Sequence, residues 1–325
     1  MVEELLFIGH VSIDRVKNVW GEHVQLGGAA LYASLGAKVL TENVKLISAV
    51  GRDFKHLNFI YSIFPGSLVK RVNMPSTFFS ISYDENFKAK YEEVKIGAGA
   101  TLKVTDLPQH WIRKDVYIHL APMPPTKTER FVDRIKKISP ETWVSMNSSP
   151  DYLSNSKYRK ILRKLMEKVD LTVVNDYEAM VLAETNSLVH AINNLKTRRL
   201  AVTLGQLGAI IVEDGKVQMI PALSGLVIKP KDTTGAGDVW CGSLLAAYVQ
   251  TRDWTKSVVT ACLISAIKCL DWGFEKIRKL RFKKPEEIVF HVLNLSQNIG
   301  QLTLKVEREK EKTLCFTSLN FSKVE

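Results

Sequence analysis

The residues best suited to chemistry lie in a polar, glycine-rich turn, Lys231–Asp238, directly before a segment of helical character, Val239–Tyr248. The first backbone N–H groups of a helix lack internal partners and lie at the positive end of the helix dipole, so such a turn can hold an anion. Gly235 and Gly237 carry no side chain that would keep phosphate oxygens away from those N–H groups. The pattern predicts an anion hole formed by Gly235, Ala236 and Gly237.

Asp238 follows the anion hole directly. A carboxylate is out of place in a site that only binds phosphate, because like charges repel. It is useful as a base that takes a proton from an attacking hydroxyl while the N–H groups stabilise charge on a transferred phosphoryl group. The alternative is an ordinary cap of the helix. The turn is not a P-loop, because Gly-Lys-Ser/Thr is missing, and it is not a G-x-G-x-x-G dinucleotide fingerprint.

Other polar residues lie where strands are predicted to end. Asp14 follows the apolar run Leu5–Val11, and ligands gather at strand ends in open α/β sheets. Its carboxylate could accept hydrogen bonds from two neighbouring hydroxyls. Gly27 and Gly28 precede a helix and could let a ligand approach the backbone, while Asn147 ends a strand and could face a ligand. For each of these residues the alternative is a role in a turn without a ligand.

Short apolar runs alternate with amphipathic stretches through most of the chain, which predicts a layered α/β fold with a largely parallel sheet. The predicted strands are Leu5–Val11, Lys45–Val50, Val116–Ala121, Trp143–Met146, Leu171–Val174 and Leu200–Leu204. The predicted helices are Ala29–Leu40, Thr128–Ile138, Tyr158–Val169, Tyr177–Glu184 and Val189–Leu195, with a further helical run from Asp238 to about Asn298.

Three β-hairpins are predicted from alternating residues and turn signals. They cover Val16–Leu26, Phe78–Val94 and the pair Ala209–Val212 and Val217–Ile220. The first two do not fit easily into a parallel core and could form a small flap over one end of the sheet.

Several motifs, taken together and in order, resemble the ribokinase-like (PfkB) carbohydrate kinases, from Leu5 to about residue 295. The segments that carry the resemblance are Gly9–Asp14, the double glycine of Gly27–Ser34, the N-x-x-E of Asn175–Glu178, Thr203–Gly208 and Asp232–Asp238, with Val50–Asp53 a weaker match. The resemblance implies a three-layer α/β/α fold with a mostly parallel central sheet and a small β lid. The implied kinase domain spans residues 1–300, with lid strands at about 16–26 and 76–96, and residues 301–325 form a C-terminal extension.

The resemblance also implies the activity and the roles of residues. The expected reaction is ATP-dependent phosphorylation of a hydroxyl of a sugar, a polyol such as myo-inositol, or a nucleoside, with Mg²⁺ and Asp238 as base. The acceptor is expected to meet Asp14, Gly27, Gly28, Tyr32 and Asn147. The nucleotide is expected to meet Asn175, Thr203, Gly205, Gly208 and Thr234, while Glu178 acts on Mg²⁺ through water. Asp232 resembles part of a monovalent-cation site seen in some members, and the lid strands often supply a homodimer contact.

Two positions depart from the usual family pattern. Tyr32 stands where many members carry asparagine, and Ser34 stands where alanine is usual, which argues against ribose-type recognition. The start Phe7–Asp14 and the short lid are more similar to the inositol-kinase-like branch. His10 could touch the substrate, but a packed histidine is the expected role.

Composition excludes some classes and leaves others open. The 325-residue chain is 46% hydrophobic and carries a net charge of +11. It shows no secretory signal and no run long enough to span a membrane, so a cytoplasmic location is expected.

Basic residues concentrate in Lys157–Lys168 and Lys276–Lys284 without a nucleic-acid-binding motif, which favours solvated helix faces over nucleic-acid binding. The four cysteines lack C-x-x-C spacing and are interpreted as structural. A non-catalytic ligand-binding protein on the same scaffold is the other alternative.

Overall fold

The computed structural model describes residues 3–222 and 230–288. Two sheets dominate this part of the chain. One has nine strands, in the order β13-β12-β11-β10-β9-β8-β1-β4-β5, and the other has four, in the order β3-β2-β6-β7. The strands are β1 (Glu4–Ile8), β2 (Ser12–Asn18), β3 (Gly21–Gly27), β4 (Val44–Gly51), β5 (Leu68–Val72), β6 (Thr77–Tyr83), β7 (Ala89–Lys95), β8 (Val116–Leu120), β9 (Trp143–Asn147), β10 (Leu171–Asn175), β11 (Arg199–Thr203), β12 (Gly208–Glu213) and β13 (Lys216–Pro221).

The central sheet is parallel from β11 to β5, and β12 and β13 extend one edge in antiparallel fashion. Its inner strands are apolar on both faces because helices cover both faces. Within β1, Leu5 and Phe7 pack into one core while Leu6 and Ile8 pack into the other. This alternation is the period of two that a pleated strand imposes, and it produces a three-layer α/β/α arrangement.

The helices that form the two outer layers come from different parts of the chain. The described helices are α1 (Ala29–Lys38), α2 (Leu57–Ile63), α3 (Pro125–Ile138), α4 (Pro150–Leu153), α5 (Ser156–Lys168), α6 (Asp176–Leu182), α7 (Leu188–Asn194), α8 (Ala236–Thr251) and α9 (Trp254–Lys268). Residues of α1, α8 and α9 share the core of Leu5 and Phe7, whereas α3, α5, α6 and α7 share the core of Leu6 and Ile8. The helix α8 is buried almost all round, since it packs against both α1 and α9.

The second, smaller sheet is the lid. Its strand β2 pairs antiparallel with β3 and parallel with β6, which in turn pairs antiparallel with β7. The first two predicted hairpins thus join into one sheet. The third predicted hairpin forms the antiparallel edge of the central sheet.

The predicted strands and helices are present, with two differences near the N-terminus. The predicted strand Leu5–Val11 ends at Ile8, because the Ser48 side chain takes over the backbone hydrogen bonds that follow. Ser48 Oγ donates to Gly9 O at 2.7 Å and accepts from Val11 N at 3.1 Å. The lid strand therefore starts at Ser12, four residues before the predicted Val16, and Asp14 lies inside it rather than after β1.

The sequence did not predict α2, α4 and β5, and the predicted C-terminal helical run is interrupted after α9 before residues 285–288 become helical again. After α9 ends at Lys268 the chain passes through turns, with Gly273 in the left-handed region at a φ of 55°. The rest of the predicted run and the predicted extension over residues 301–325 lie outside the described residues. Within the described ranges, no helix combines the length and apolar character needed to cross a bilayer.

Candidate active site

The turn before α8 separates two cavities. The first, of about 400 Å³, lies under the lid and is called the lid cavity. Its polar lining comes from His10, Asp14, Tyr32, Tyr91, Ser148, Ser149, Asp151, Tyr152, Thr234 and Asp238. The second, of about 300 Å³, lies near the antiparallel edge of the sheet and is called the edge cavity. Its lining includes Thr203, Gly205, Gly208, Thr233, Ala236, Gly237, Trp240, Cys262, Ser265 and Cys269.

The three residues of the predicted anion hole divide between the two cavities. Gly235 lines the lid cavity, whereas Ala236 and Gly237 line the edge cavity. Gly235 has a φ of 73°, and a Cβ added there would lie 2.3 Å from the Tyr32 ring. A Cβ added at Gly237 would meet no atom within 4 Å in the described structure. The backbone at the start of α8 is therefore open towards the edge cavity.

Asp238 lies in the first turn of α8 and faces the lid cavity. The Asn147 side chain, at the end of β9, donates from Nδ2 to Asp238 Oδ1 at 3.1 Å. Burial raises the pKa of Asp238 to about 6, although the hydrogen bond from Asn147 and the charge of Lys268 favour the carboxylate. A carboxyl group with such a pKa is ionised at neutral pH and can still accept a proton.

Asp14 is buried against the double glycine. Ser12 Oγ donates to Asp14 Oδ1 at 2.6 Å. A Cβ on Gly27 would lie 1.7 Å from Asp14 Oδ2, and one on Gly28 would lie 2.4 Å from His10 O. Glycine is thus required at both positions by the Asp14 side chain and the His10 backbone of this chain, and not by a ligand alone. Gly28 also lines the lid cavity. Burial raises the pKa of Asp14 to about 7, against the hydrogen bond from Ser12.

His10, expected to be a packed residue, is packed but also lines the lid cavity. Neither of its ring nitrogens has a hydrogen-bond partner among the described residues. Burial, with a contribution from the charge of Lys127, lowers the pKa of His10 to about 4, so that the imidazole is neutral. A neutral imidazole offers one donor and one acceptor to a ligand.

Apolar and aromatic groups also line the lid cavity, and two of them, Tyr91 and Tyr152, contribute both a ring and a polar hydroxyl. These groups come from the lid strands β6 and β7 and from the loops after β8 and β9, and they comprise Phe79, Ile81, Tyr91, Val94, Ile96, Pro122, Pro124, Pro150 and Tyr152. Tyr32, on α1, also lines the cavity, and its hydroxyl accepts from Gln25 Nε2 at 3.1 Å. The cavity therefore combines the carboxyl groups of Asp14, Asp151 and Asp238 with apolar and aromatic side chains.

Asn175 and Glu178 hold each other at the start of α6. Asn175 Oδ1 accepts from Glu178 N at 2.7 Å, and Glu178 Oε2 accepts from Asn175 N at 2.9 Å. This is a reciprocal capping box. Burial raises the pKa of Glu178 to about 7, and the charge of Asp238 adds to the rise. Asn175, Glu178, Gly27 and Asn147 are not among the residues that line either cavity.

Three of the predicted nucleotide-binding residues meet at the edge cavity: Thr203, Gly205 and Gly208. Thr234, the fifth such prediction, lies on the other side of the turn in the lid cavity, where its hydroxyl donates to Tyr83 Oη at 3.0 Å. Two cysteines interpreted as structural, Cys262 and Cys269, also line the edge cavity, and Cys241 is buried. These three thiols are free, while Cys315 lies outside the described residues.

Sequence reasoning missed most of the cavity walls. The lid tyrosines were seen only as alternating strand residues, and Tyr152 lies in a short helix with no distinctive pattern. Trp240 and Ser265 were read as parts of apolar helices. One available signal was the presence of Tyr83 and Tyr91 in a predicted hairpin. Large aromatic side chains on a small flap are expected to pack against another part of the protein or against a ligand.

The fold and this site define a class of small-molecule phosphotransferases, and comparisons agree. The sequence profile described as "pfkB family carbohydrate kinase" matches residues 91–275. The nucleoside kinase of Methanocaldococcus jannaschii is 28% identical over 276 residues, covering 78% of this chain and 86% of that protein. A ribokinase of Lactococcus lactis is 29% identical over 115 residues, which is 35% of this chain and 37% of that protein.

Solved structures share the fold at low sequence identity. The adenosine kinase of Sinorhizobium meliloti aligns with a TM-score of 0.74 at 18% identity, covering 86% of this chain and 98% of that one. The nucleoside kinase of Burkholderia thailandensis in complex with inosine aligns with a TM-score of 0.73 at 18% identity, covering 90% of this chain and 98% of that one. The chain belongs to the pfkB family of carbohydrate kinases, and it is a carbohydrate or nucleoside kinase.

Proposed function

We propose that the protein transfers the γ-phosphoryl group of ATP to a hydroxyl of a nucleoside. The observation that carries this proposal is the position of the turn Thr234–Asp238 between two cavities. Asp238 faces the lid cavity, whereas the open backbone of Ala236 and Gly237 faces the edge cavity. An acceptor in the lid cavity and a nucleotide in the edge cavity would thus meet across the start of α8.

In the proposed reaction, Asp238 takes the proton of the attacking hydroxyl, and Asn147 orients its carboxylate. The N–H groups of Gly235, Ala236 and Gly237 stabilise the charge on the transferred group. Asp14 accepts hydrogen bonds from acceptor hydroxyls. Its buried carboxyl has the nearby Ser12 hydroxyl as a partner, which holds it in place.

The edge cavity is proposed to hold the nucleotide through Thr203, Gly205 and Gly208. Mg²⁺, when bound with ATP, neutralises phosphate charge. The described residues contain no cluster of three or more His, Cys, Asp or Glu side chains that could hold a metal. This fits an ion held chiefly by phosphates and water, with Asn175 and Glu178 contributing through water.

The acceptor class follows from the aromatic side chains of the lid cavity. Polyols and hexoses carry hydroxyl groups around the whole molecule and have no flat aromatic group, whereas Phe79, Tyr91 and Tyr152 offer aromatic surface. A nucleoside carries hydroxyls at one end and a flat base at the other, which stacks on aromatic side chains. The M. jannaschii relative, a nucleoside kinase, supports the same choice over the inositol-kinase-like branch.

The test is a panel of acceptors with Mg-ATP, in which ADP formation is measured for purine and pyrimidine nucleosides, ribose, hexoses and myo-inositol. We expect a nucleoside to give the highest kcat/KM, and Asp238→Asn to abolish turnover while the unfolding midpoint stays within a few degrees of the wild type. A hexose or inositol as best acceptor would refute the acceptor class alone. Silence across the panel, with retained nucleotide binding, would favour a non-catalytic binding protein.

Two further expectations belong with this proposal. A cytoplasmic location suits an enzyme that consumes ATP. A homodimer through the lid is supported by Val19, Trp20 and Val24, large apolar side chains more than half exposed on the β2–β3 hairpin. Sedimentation of the purified protein tests the dimer.

A further inference from the structure

Lys268, the last residue of α9, is a fully buried cation. Its Nζ donates to Asp232 O at 2.8 Å and lies 3.3 Å from Asp232 Oδ2, and the Asp232 side chain is equally buried. The same ammonium lies 5.5 Å from the centre of the Tyr32 ring. Burying such a pair costs desolvation energy that apolar residues of similar size avoid, so stability alone is a weak reason for it.

The pair fixes the turn between the two cavities. Asp232 Oδ1 accepts from Thr234 N at 2.8 Å, and Oδ2 accepts from Gly273 N at 2.8 Å. Oδ2 also accepts from Gln25 Nε2, on lid strand β3, at 3.0 Å. Lys268 is thus joined through one carboxylate to the start of the anion hole, to the lid and to the segment after α9.

Lys268 acts on the site through its charge in addition to its hydrogen bonds. Burial opposes ionisation of Asp232, but Lys268 and the hydrogen bonds from Thr234 and Gln25 outweigh burial, and the pKa of Asp232 is lowered. Lys268 also interacts with the charges of Asp14 and Asp238. Lys268 therefore contacts one carboxylate and acts on two more through its charge, at a place where phosphate would add more negative charge.

A dissociable monovalent cation does not fit at Asp232. Such an ion binds carbonyl and carboxylate oxygens, and here Lys268 Nζ already contacts Asp232 O and Oδ2. We propose that the Lys268 ammonium is a built-in cation that holds the phosphate-binding turn in place, so that the enzyme takes up no monovalent cation at Asp232. Lys268 is then a positioning residue, and its effect on turnover rests on the proposed role of the turn.

The wild-type protein gives the first test. Potassium is replaced by sodium and then by tetramethylammonium at constant ionic strength, and kcat/KM for ATP and the unfolding midpoint are measured. We expect kcat/KM to change by less than about twofold and the midpoint to stay constant. A saturable, several-fold activation by potassium, or a saturable rise of the midpoint, would overturn the proposal.

Two variants of different shape give the second test. Lys268→Ala leaves space for a small cation, whereas Lys268→Met fills that space without charge. We expect both to lose at least about tenfold in kcat/KM for ATP, the size expected for a lost charge-assisted hydrogen bond. Ethylammonium should restore part of the activity of Lys268→Ala and raise its unfolding midpoint saturably, but should do neither for Lys268→Met. Loss without rescue would mean a purely structural role and overturn the proposal.

A third variant covers the case in which the single variants do not fold. Asp232→Asn/Lys268→Met removes both charges together, so that neither is left buried and unpaired. Near wild-type kcat/KM in this folded double variant would overturn the proposal, whereas a loss of about tenfold or more with an unfolding midpoint close to that of the wild type would support it, because the loss would then not come from a weakened fold. If it does not fold, the wild-type cation test decides. The melting measurements need no acceptor, so a failure of the proposed function would be seen separately, as an inactive wild type.

Discussion

At the scale of single residues, Gly235 and Gly237 are glycines for different reasons. Gly235 is in the left-handed region, and a Cβ there would clash with the Tyr32 ring, whereas Gly237 lies in the first turn of α8 beside open space. The first is required by this chain's own backbone and packing. At Gly237 neither the backbone nor the packing requires glycine. The missing side chain there leaves room only for a ligand that approaches from the edge cavity.

This difference gives a matched pair of variants. Gly235→Ala should destabilise the fold by roughly 2–4 kcal/mol, because a left-handed φ and an overpacked neighbour each cost roughly 1–2 kcal/mol. Gly237→Ala should leave stability unchanged or raise it by up to about 1 kcal/mol, yet raise KM for ATP about tenfold or more. Denaturant unfolding and steady-state kinetics measure both effects. A Gly237→Ala enzyme with normal KM for ATP would contradict phosphate binding at this residue.

Asp238 gives a prediction about pH. Its pKa of about 6 lies above the ordinary carboxyl value, and the base must be ionised to act. Where Asp238 alone limits the reaction, kcat/KM should therefore level off above about pH 7 and fall about tenfold per pH unit below pH 6.

The pKa values of Asp14 and Glu178 are about 7. The fall of kcat/KM at low pH, called the acid limb, therefore needs a separate control before it is assigned to Asp238. The hydrogen bond from Asn147 lowers the pKa of Asp238, so Asn147→Ala should move the limb to higher pH. A limb that does not move in Asn147→Ala would show that another group controls it.

At the scale of elements, the lid is joined to the turn before α8 by a hydrogen bond from Thr234 Oγ1 to Tyr83 Oη. Tyr83 is on β6, and its neighbour Ser82 instead donates to Glu92 on β7, at the exposed surface. The alternation of the strand thus separates a residue that faces the turn from one that does not.

Tyr83→Phe should weaken closure of the lid. A hydrogen bond of this kind contributes roughly 0.5–1.5 kcal/mol, so KM for the acceptor should rise roughly twofold to tenfold. Hydrolysis of ATP without acceptor should rise relative to transfer, because the lid keeps water out. Ser82→Ala is the matched control and should behave as the wild type. Equal kinetics for the two variants would remove the lid contact from the mechanism.

The elements also show what sequence could predict and what it could not. Buried strands such as β8 and β10 are continuous apolar runs, and their helices have a strong apolar stripe, so periodicity was sufficient. The end of β1 was missed because it depends on Ser48, 37 residues beyond Val11. Asp238 and Asp14 were found through local motifs, whereas Lys268 was not, since its partner Asp232 is 36 residues away in sequence.

At the scale of the whole molecule, the site lies where the carboxyl ends of the parallel strands converge. Asn147 ends β9, Asn175 ends β10 and Thr203 ends β11, and these neighbouring strands bring all three to one edge. The lid covers one half of this edge, and the antiparallel strands flank the other. One cavity therefore lies on each side of the turn before α8.

Ligand-induced stabilisation of the whole fold tests the acceptor class without turnover. A ligand at about 100 times its Kd adds about 2.7 kcal/mol to the free energy of unfolding, which raises the unfolding midpoint by roughly 4 °C for a domain of this size. We expect a nucleoside to give this shift at concentrations where ribose and myo-inositol give little, because only the nucleoside combines hydroxyls for the carboxylates with a flat base for the aromatic side chains of the lid cavity.

The aromatic wall should account for the difference between nucleoside and ribose. Tyr91 lines the lid cavity from β7, so Tyr91→Ala should reduce the shift caused by the nucleoside and leave the smaller shift caused by ribose unchanged. Tyr61→Ala on α2, at a partly exposed tyrosine outside the cavity lining, is the control and should keep both shifts. Equal shifts of the unfolding midpoint for ribose and nucleoside in the wild type would show that the nucleobase does not bind the aromatic side chains of the lid cavity. The acceptor would then be a sugar or polyol.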